Sequence, residues 1–172
     1  MPSGKPIIYW DTCVFLAWIK NESRPNNEMD GVNDVATKIH NDHIILLTST
    51  LTSVEILEST LNDLARQRLA DLFKRRNCQQ CAPDNRVMRL THNIRDYYQQ
   101  KKLVDGLPTL STPDAIHLAT AIFYEASEFH TFDENDEPKK RRALIPLGGN
   151  VAGYPLVICK PPIPAQLGLG LI

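Results

Sequence analysis

The chain reads IIYWDTCVFLAWIK over residues 7–20, where two predicted elements follow each other directly. Its first four residues are β-branched or aromatic and predict a short buried strand, whereas residues 12–20 predict a helix. Further apolar runs predict strands at 44–47, 79–82, 128–131 and 156–159, with helices between most of them. Short apolar strands that alternate with helices favour a parallel sheet covered on both faces. The predicted fold class is therefore α/β, with three α/β/α layers.

The helices are predicted from apolar residues at helical spacing and from capping residues. They cover about 28–41, a segment from residue 52, 61–76, the stretch between Asp84 and a break at Gly106, and 112–126. Thr112 followed by Pro113 is read as an N-cap threonine with proline at the first helical position.

The size and composition are those of an ordinary globular domain. The chain has 172 residues, of which 42% are hydrophobic and 23% charged. We expect a single domain over residues 1–160 and a Pro/Gly-rich extension over residues 161–172. No apolar run reaches the ~20 residues that span a membrane, and the first residues lack a signal-peptide core. A cytoplasmic location without membrane contact is the expectation.

Charge and cysteine content narrow the function classes. The net charge of −1 lacks the fold-wide basic field of many nucleic-acid-binding proteins, although basic residues can be segregated on one surface. The four cysteines suit reduced thiols. Cys78 and Cys81 have the C-x-x-C spacing of redox and zinc sites, but no second motif completes a four-ligand zinc site. A functional role for this pair is not predicted.

Four acidic residues stand at predicted helix starts, three of them after strand-like runs. They are Asp11, Glu55, Asp114 and Asp133. Ligands of an open parallel sheet bind at the carboxyl ends of the strands, so these carboxylates could share one crevice. Carboxylates in contact repel each other, and a divalent cation removes that conflict. An all-oxygen site suits Mg²⁺ or Mn²⁺ rather than zinc.

Each acid also has a local structural explanation. Asp11 could cap the helix that follows it, and residues 52–55 fit a capping box that ends at Glu55. Asp114 could favour the positive end of its helix, and Asp133 could cap a further helix. Both interpretations stay open on spacing alone.

Four motifs then occur in the order in which PIN-domain nucleases carry them. Residues 8–16, IYWDTCVFL, resemble the opening D-T/S-N-V motif, and residues 49–57, STLTSVEIL, resemble the second, in which a glutamate heads a helix. Residues 114–121, DAIHLATA, resemble D-x-x-x-x-A-x-A, and residues 131–136, TFDEND, resemble T-x-D/N-x-x-D. The resemblance spans about residues 7–160. In size and pattern the chain is similar to VapC-type toxins.

Three features depart from the family pattern. Cys13 stands where the family often has asparagine, a long stretch at 139–155 precedes the last strand, and a Pro-rich tail follows it. His117 matches no catalytic position and is predicted to pack beside Asp114.

The resemblance implies a set of site residues and a reaction. Asp11, Glu55, Asp114 and Asp133 would be the catalytic residues and the ligands of one or two Mg²⁺ or Mn²⁺ ions. Thr12, Thr131 and Asp136 would be accessory residues. The implied activity is hydrolysis of RNA phosphodiesters by a metal-dependent endoribonuclease that leaves a 5′-phosphate and a 3′-hydroxyl.

The resemblance also implies partners. The protein would be the toxin of a type II toxin–antitoxin pair, held inactive by a cognate antitoxin, and would form a homodimer. Because the acids repel RNA, nearby cations must hold the flanking phosphates. Our candidates for these RNA contacts are three arginines that recur on the long predicted helix and four basic residues that follow Asp133: Arg86, Arg89, Arg95, Lys139, Lys140, Arg141 and Arg142.

Other functions fit the sequence less well. A haloacid dehalogenase-type phosphatase needs a second aspartate two residues after the first, and position 13 is cysteine. A phosphoaspartate receiver needs an early acidic pair and a late lysine that this chain lacks. The alternative outside enzymes is a non-catalytic RNA-binding or complex-assembly module on the same scaffold, and the presence of all four acids favours the nuclease.

Overall fold

The computed structural model describes residues 4–57, 59–136 and 141–165. Five strands form one sheet in the order β3–β2–β1–β4–β5, and every neighbouring pair is parallel. The strands are β1 Ile7–Trp10, β2 Ile45–Ser49, β3 Cys78–Cys81, β4 Glu128–His130 and β5 Ile158–Cys159. The prediction of a parallel sheet is confirmed.

Six α-helices lie in the described residues. They are α1 Thr12–Lys20, α2 Glu28–His40, α3 Leu51–Leu57, α4 Asp63–Phe73, α5 Asn85–Asp105 and α6 Thr112–Phe123. Short 3₁₀ turns at Pro25–Asn27 and Ile145–Leu147 complete the regular structure. None of the described helices combines the length and apolar character that crossing a membrane requires.

The sheet separates two hydrophobic cores. Ile8 and Trp10 of β1 point into a core shared with α1, α2 and α4, whereas Tyr9 points into a core shared with α5 and α6. This alternation follows from the strand period of two residues. Helices therefore cover both faces of the sheet, which confirms the three-layer α/β/α architecture.

The strand order reverses at β1. The chain runs from β1 outward to β2 and β3, and then returns through α5 and α6 to β4 on the other side of β1. In parallel sheets, this reversal opens a crevice at the carboxyl end of the central strand. Asp11 follows β1 directly and therefore lies at that crevice.

Two predicted helix starts are corrected by the structure. The N-cap of α6 is Ser111, whose hydroxyl accepts a hydrogen bond from the Asp114 amide at 3.1 Å, so Thr112 is the first helical residue. The capping box at 52–55 is wrong because α3 begins earlier, at Leu51, and the Thr52 hydroxyl bonds to the hydroxyl of Thr48 at 2.6 Å.

The C-terminal segment packs on α2 where it leaves the sheet. Pro161 is buried, and a Cβ at Gly31 would lie 2.2 Å from its carbonyl oxygen, so the two backbones are in close contact. Residues 166–172 of the predicted extension lie outside the described residues. The domain boundary at residue 160 stays a prediction.

Candidate active site

A cleft of about 820 Å³ opens at the carboxyl ends of β1 and β4. All four acids selected from the sequence line it: Asp11, Glu55, Asp114 and Asp133. They come from four different segments that the topology gathers at one end of the sheet. Their catalytic and metal-binding roles stay predictions.

Asp11 is fixed by three neighbours at the start of α1. Asp11 is the N-cap residue of α1, and its Oδ1 accepts a hydrogen bond from the Thr12 amide at 2.7 Å. Its Oδ2 accepts one from the Thr131 hydroxyl at 2.8 Å and a longer one from the Cys13 thiol at 3.4 Å. Asp11 is therefore both a helix cap and a cleft residue, so the two interpretations of the sequence are compatible.

Glu55 is oriented by residues from two other elements. Its carboxylate accepts hydrogen bonds from the Thr12 hydroxyl and, at 2.8 Å, from Nε2 of His117. The His117 ring is buried, and its Nδ1 lies 2.6 Å from the Tyr9 hydroxyl. Burial alone would raise the pKa of Glu55, but the hydrogen bond from His117 and its positive charge lower the pKa below its ordinary value. The prediction that His117 only packs beside Asp114 is corrected, because its ring contacts Glu55.

Asp114 is placed by the first turn of α6. Its Oδ2 accepts a hydrogen bond of 2.5 Å from Ser111, whose hydroxyl also accepts from the Asp114 amide. The Ser111 hydroxyl therefore caps α6 and also holds the Asp114 carboxylate at the helix start. Burial raises the pKa of Asp114, and the negative charges of Asp11 and Asp133 raise it further.

Asp133 lies in a loop rather than at a helix start. No helix follows it in the described residues up to 136, so its predicted capping role is wrong there. Its carboxylate forms an ion pair with Arg141, and its carbonyl accepts hydrogen bonds from the amides of Leu144 and Ile145 at 3.2 and 2.9 Å. Burial raises the pKa of Asp133; the Arg141 charge opposes this, and the charge of Asp11 adds to it.

These interactions fit the binding of a cation with oxygen ligands. The raised pKa values of Asp114 and Asp133 reflect burial and, after it, repulsion between the cleft carboxylates, which a divalent ion relieves. Among the described residues, no three cleft carboxylates have ligand atoms within 4.8 Å of one another. Mg²⁺ suits such spacing because it keeps several waters and needs only one or two direct carboxylates.

Two of the three accessory residues lie with the acids. Thr12 and Thr131 donate their hydroxyl hydrogens to Glu55 and Asp11, and their accessory role stays a prediction. Asp136 is exposed, and its Oδ1 accepts a hydrogen bond of 2.8 Å from the Ala143 amide. It does not occur among the described residues that line the cleft, and its contact closes the loop after Asp133.

The predicted basic contacts divide into separate groups. Arg86, Arg89 and Arg95 lie on α5 and are absent from the described lining of the cleft. Lys139 and Lys140 lie outside the described residues. Arg141 lines the cleft wall beside Asp133.

Arg142 is buried and stabilises the fold instead of facing the cleft. Its side chain is 4% exposed, and its Nη1 and Nη2 each donate to Asp105 at 3.1 Å. Its Nε donates to the carbonyl of Pro108 at 2.8 Å. The predicted RNA contact at Arg142 is corrected, because the guanidinium group is buried and already paired.

Sequence reasoning missed several residues of the cleft lining, among them Arg24, and it missed the contact of His117 with Glu55. Arg24 lies over the ring of Phe132, 3.6 Å from its centroid, and both line the cleft. No motif marks Arg24, since it occurs in a polar loop. His117 had a usable signal: a histidine three residues after Asp114, on the otherwise apolar face of α6, lies on the same side of the helix.

The C-x-x-C pair lies away from the cleft. Cys78 and Cys81 are the two ends of the edge strand β3, and both are free thiols. Burial raises the pKa of Cys78 to about 12, so its thiol is protonated at neutral pH and a poor nucleophile.

Comparisons with known proteins agree with this architecture. The family model of the PIN domain matches residues 8–140. No curated protein matches the chain.

Two solved structures share the fold. One is VapBC2 from Rickettsia felis bound to a DNA fragment from their promoter, with a TM-score of 0.59, 15% identity, and coverage of 88% of this chain and 98% of that chain. The other is FitAcB from Neisseria gonorrhoeae, with a TM-score of 0.54, 18% identity, and coverage of 90% and 97%. At these identities the likeness is one of fold.

Proposed function

The chain belongs to the PIN domain family, and on that premise we propose that it is a metal-dependent endoribonuclease, the toxin of a type II toxin–antitoxin pair. The observation that carries the proposal is the convergence of Asp11, Glu55, Asp114 and Asp133 on one cleft. These are the positions that the family's motifs mark in the sequence. Helix capping does not by itself require that the four side chains line the same cleft.

The neighbours of the acids hold them in place before any substrate binds. The hydroxyls of Thr131 and Thr12 fix Asp11 and Glu55, and His117 donates to the same oxygen of Glu55 as Thr12 does. Such preorganisation places negative charge where a cation is needed without a reorganisation cost during reaction. These carboxylates would hold a Mg²⁺ or Mn²⁺ ion, which would supply activation of water and stabilisation of the charge on a scissile phosphate.

Positive charge on the cleft wall would hold the RNA backbone. Arg24 and Arg141 both line the cleft, and each also contacts an acidic residue, Glu28 and Asp133 respectively. The two arginine side chains lie on the cleft wall, and both are partly exposed. We propose that they contact the phosphates that flank the cleavage position.

The first test is RNA cleavage in the presence of Mg²⁺ or Mn²⁺, with the 5′ ends of the products mapped by sequencing. Asp11→Asn and Glu55→Gln should reduce cleavage to background while the circular dichroism spectrum is retained. Asp71→Asn is the matched control, because Asp71 is an exposed acid outside the cleft and its substitution should leave cleavage unchanged. Full activity of Asp11→Asn would place the chemistry elsewhere.

The second test separates RNA binding from chemistry. In the inactive Asp11→Asn background, Arg24→Ala and Arg141→Ala should each weaken RNA binding and reduce the dependence of log K on log salt. Removal of one arginine–phosphate pair lowers this slope by about 0.7 for a single strand. Arg89→Ala on α5 serves as the comparison; a larger effect of Arg89 would move the RNA path from the cleft wall to α5.

The toxin assignment and the non-catalytic alternative make different predictions. A short DNA-binding protein encoded directly upstream should bind this chain and suppress cleavage if it is the antitoxin. RNA binding without cleavage, and without thermal stabilisation by Mn²⁺, would favour the binding module. We also propose a homodimer from family membership, which sedimentation at several concentrations tests.

A further inference from the structure

A second group of metal-binding side chains lies at the β4–β5 edge of the sheet. Glu128, His130 and Cys159 each offer one ligand atom, and these atoms lie within 4.8 Å of one another. The strand geometry explains the grouping. Glu128 and His130 are two residues apart on β4 and share a face, and the parallel register pairs His130 with Cys159 on β5.

One ring nitrogen of the histidine in this group lacks a hydrogen-bond partner among the described residues. His130 is 1% exposed, and its Nε2 lies 2.7 Å from Oε2 of Glu128. Its Nδ1 is buried and has no hydrogen-bond partner among the described residues. A buried polar atom without a partner is destabilising, because it has lost its hydrogen bonds to water. The ring therefore has a nitrogen lone pair for which the described residues provide no donor.

We propose that Glu128, His130 and Cys159 bind Zn²⁺ or a similar thiophilic divalent cation. A thiolate, an imidazole and a carboxylate are the ligand types that zinc accepts, with a fourth position left for water. The acidic cleft offers mainly carboxylates and suits harder cations. The two sites thus differ in chemistry, and this proposal does not rest on nuclease activity.

The site is accessible to an ion. The side chain of Glu128 is 37% exposed and Cys159 is half-buried, so the cluster opens to solvent although its histidine is enclosed. The nearby cation Lys38 is paired with Asp34 at 2.7 Å on α2. Binding would require the Cys159 thiol to release its proton to solvent and the Glu128 carboxylate to turn from the ring toward the metal.

A bound ion would link two strands that share a short ladder. β4 and β5 pair through only two residue pairs, Phe129 with Ile158 and His130 with Cys159. β4 continues directly into Thr131, whose hydroxyl holds Asp11. The ion would therefore stabilise the strand that supports one wall of the acidic cleft, and Zn²⁺ should raise the melting temperature of the full chain.

Co²⁺ absorption tests the proposal, because a thiolate ligand produces a sulfur-to-cobalt charge-transfer band that oxygen ligands do not. The wild-type chain should show this band, and Cys159→Ser should lose it. Two controls keep the band under the proposal: Cys13→Ser, which changes the thiol in the acidic cleft, and Cys81→Ser, which changes a half-buried thiol at the opposite sheet edge.

Three results would overturn the proposal. They are no band in the wild-type chain, a band that survives Cys159→Ser, and a band that is absent in Cys13→Ser or in Cys81→Ser. If Cys159→Ser does not fold, Glu128→Gln replaces it, since this side chain is partly exposed. Glu128→Gln should weaken Co²⁺ and Zn²⁺ binding by at least about tenfold, and unchanged affinity would also overturn the site.

Discussion

The buried ring of His117 orients the Glu55 carboxylate and favours its charged form. His117 donates from Nε2 to Glu55 in either protonation state of the ring, and the Tyr9 hydroxyl lies beside the other nitrogen. Burial alone would lower the pKa of His117, but the hydrogen bond to Glu55 and the charges of Asp11, Glu55 and Asp114 raise it above its ordinary value. This single residue therefore couples the interior of the sheet to the cleft.

Two substitutions at His117 should separate hydrogen bonding from volume. His117→Leu removes the donor to Glu55 and should lower the free energy of unfolding by about 1–3 kcal/mol, because a partly buried carboxylate loses its partner. His117→Gln keeps a donor and an acceptor and should retain most of the stability and the RNA cleavage. Urea denaturation at neutral pH measures the first effect. Equal stability of the two variants would show that the hydrogen bond contributes little.

Two adjacent arginines, Arg141 and Arg142, have different roles in joining the elements of the fold. Arg141 faces the cleft, whereas Arg142 joins the loop after Asp133 to the C-terminal end of α5. The Arg142 guanidinium also lies 5.0 Å from the ring centroid of Tyr98, a residue of the core shared with α5 and α6. Arg142 therefore fixes the position of the loop that carries Arg141.

Removal of Arg142 should destabilise the fold. In Arg142→Ala the carboxylate of Asp105 and the carbonyl of Pro108 lose charged donors, so we expect a decrease of about 1.5–3 kcal/mol in the free energy of unfolding. The control is Arg89→Ala, which removes an exposed arginine on α5, the helix that carries Asp105. This substitution should change stability by less than about 0.5 kcal/mol. Similar values for both variants in urea denaturation would contradict the structural role of Arg142.

A buried carboxylate joins α2 to the segment after β5. Glu28, at the start of α2, accepts hydrogen bonds from Lys160 at 2.8 Å and from Arg24 at 3.1 Å. Burial alone would raise the pKa of Glu28, but these two cations lower it below its ordinary value. Its contribution to stability is therefore present above the pKa of the unfolded chain and is lost as the pH falls through the lower pKa of the folded chain.

The pH dependence of Glu28→Gln follows from that sign. The variant should be less stable than the wild type by about 1.5–3 kcal/mol at pH 7, and the difference should shrink at acid pH, where the wild-type carboxylate is also protonated. Asp30→Asn is the control, since Asp30 is exposed in the same helical turn. A difference that stays constant from pH 7 into the acid range would contradict the assigned pKa shift.

Local patterns predicted the elements better than their contacts. The strand β1 and the helix α1 follow from hydrophobic period and an acidic cap, which are properties of adjacent residues. The contact of Arg142 with Asp105 spans 37 positions and that of His117 with Glu55 spans 62, so no local pattern contains them. The four acids were found because each belongs to a recognisable motif, whereas Arg24 belongs to none.

At the scale of the whole molecule, one sheet reversal assembles the cleft. Because β1 and β4 are parallel neighbours, the residues that follow them lie together at the carboxyl end of the sheet. Helices α3 and α6 add Glu55 and Asp114 to the same cleft. The segment after β5 then crosses to α2 and places Lys160 beside Glu28. The segment after β5 therefore contacts and stabilises α2, the helix that follows the loop of the cleft residue Arg24.

Gly31 allows the segment after β5 to pack closely on α2. It lies inside α2, where alanine is normally the better helix former by about 1 kcal/mol. Here an alanine Cβ would meet the Pro161 carbonyl oxygen at 2.2 Å and its carbon at 2.8 Å, and both are backbone atoms. Gly31→Ala should therefore destabilise the protein by about 1–3 kcal/mol. Asn33→Ala, an exposed position on the same helix, should instead be neutral or slightly stabilising.

A truncation at residue 160 identifies the origin of that destabilisation. Removing residues 161–172 from the wild type should lower stability, because α2 is then no longer covered by Pro161. The same truncation in Gly31→Ala should cost less, since the clash leaves with the segment. Contacting groups of this kind show interaction energies of about 0.5–3 kcal/mol in a double-mutant cycle. Strict additivity of the two changes in urea denaturation would show that the C-terminal segment does not rest on Gly31 in solution.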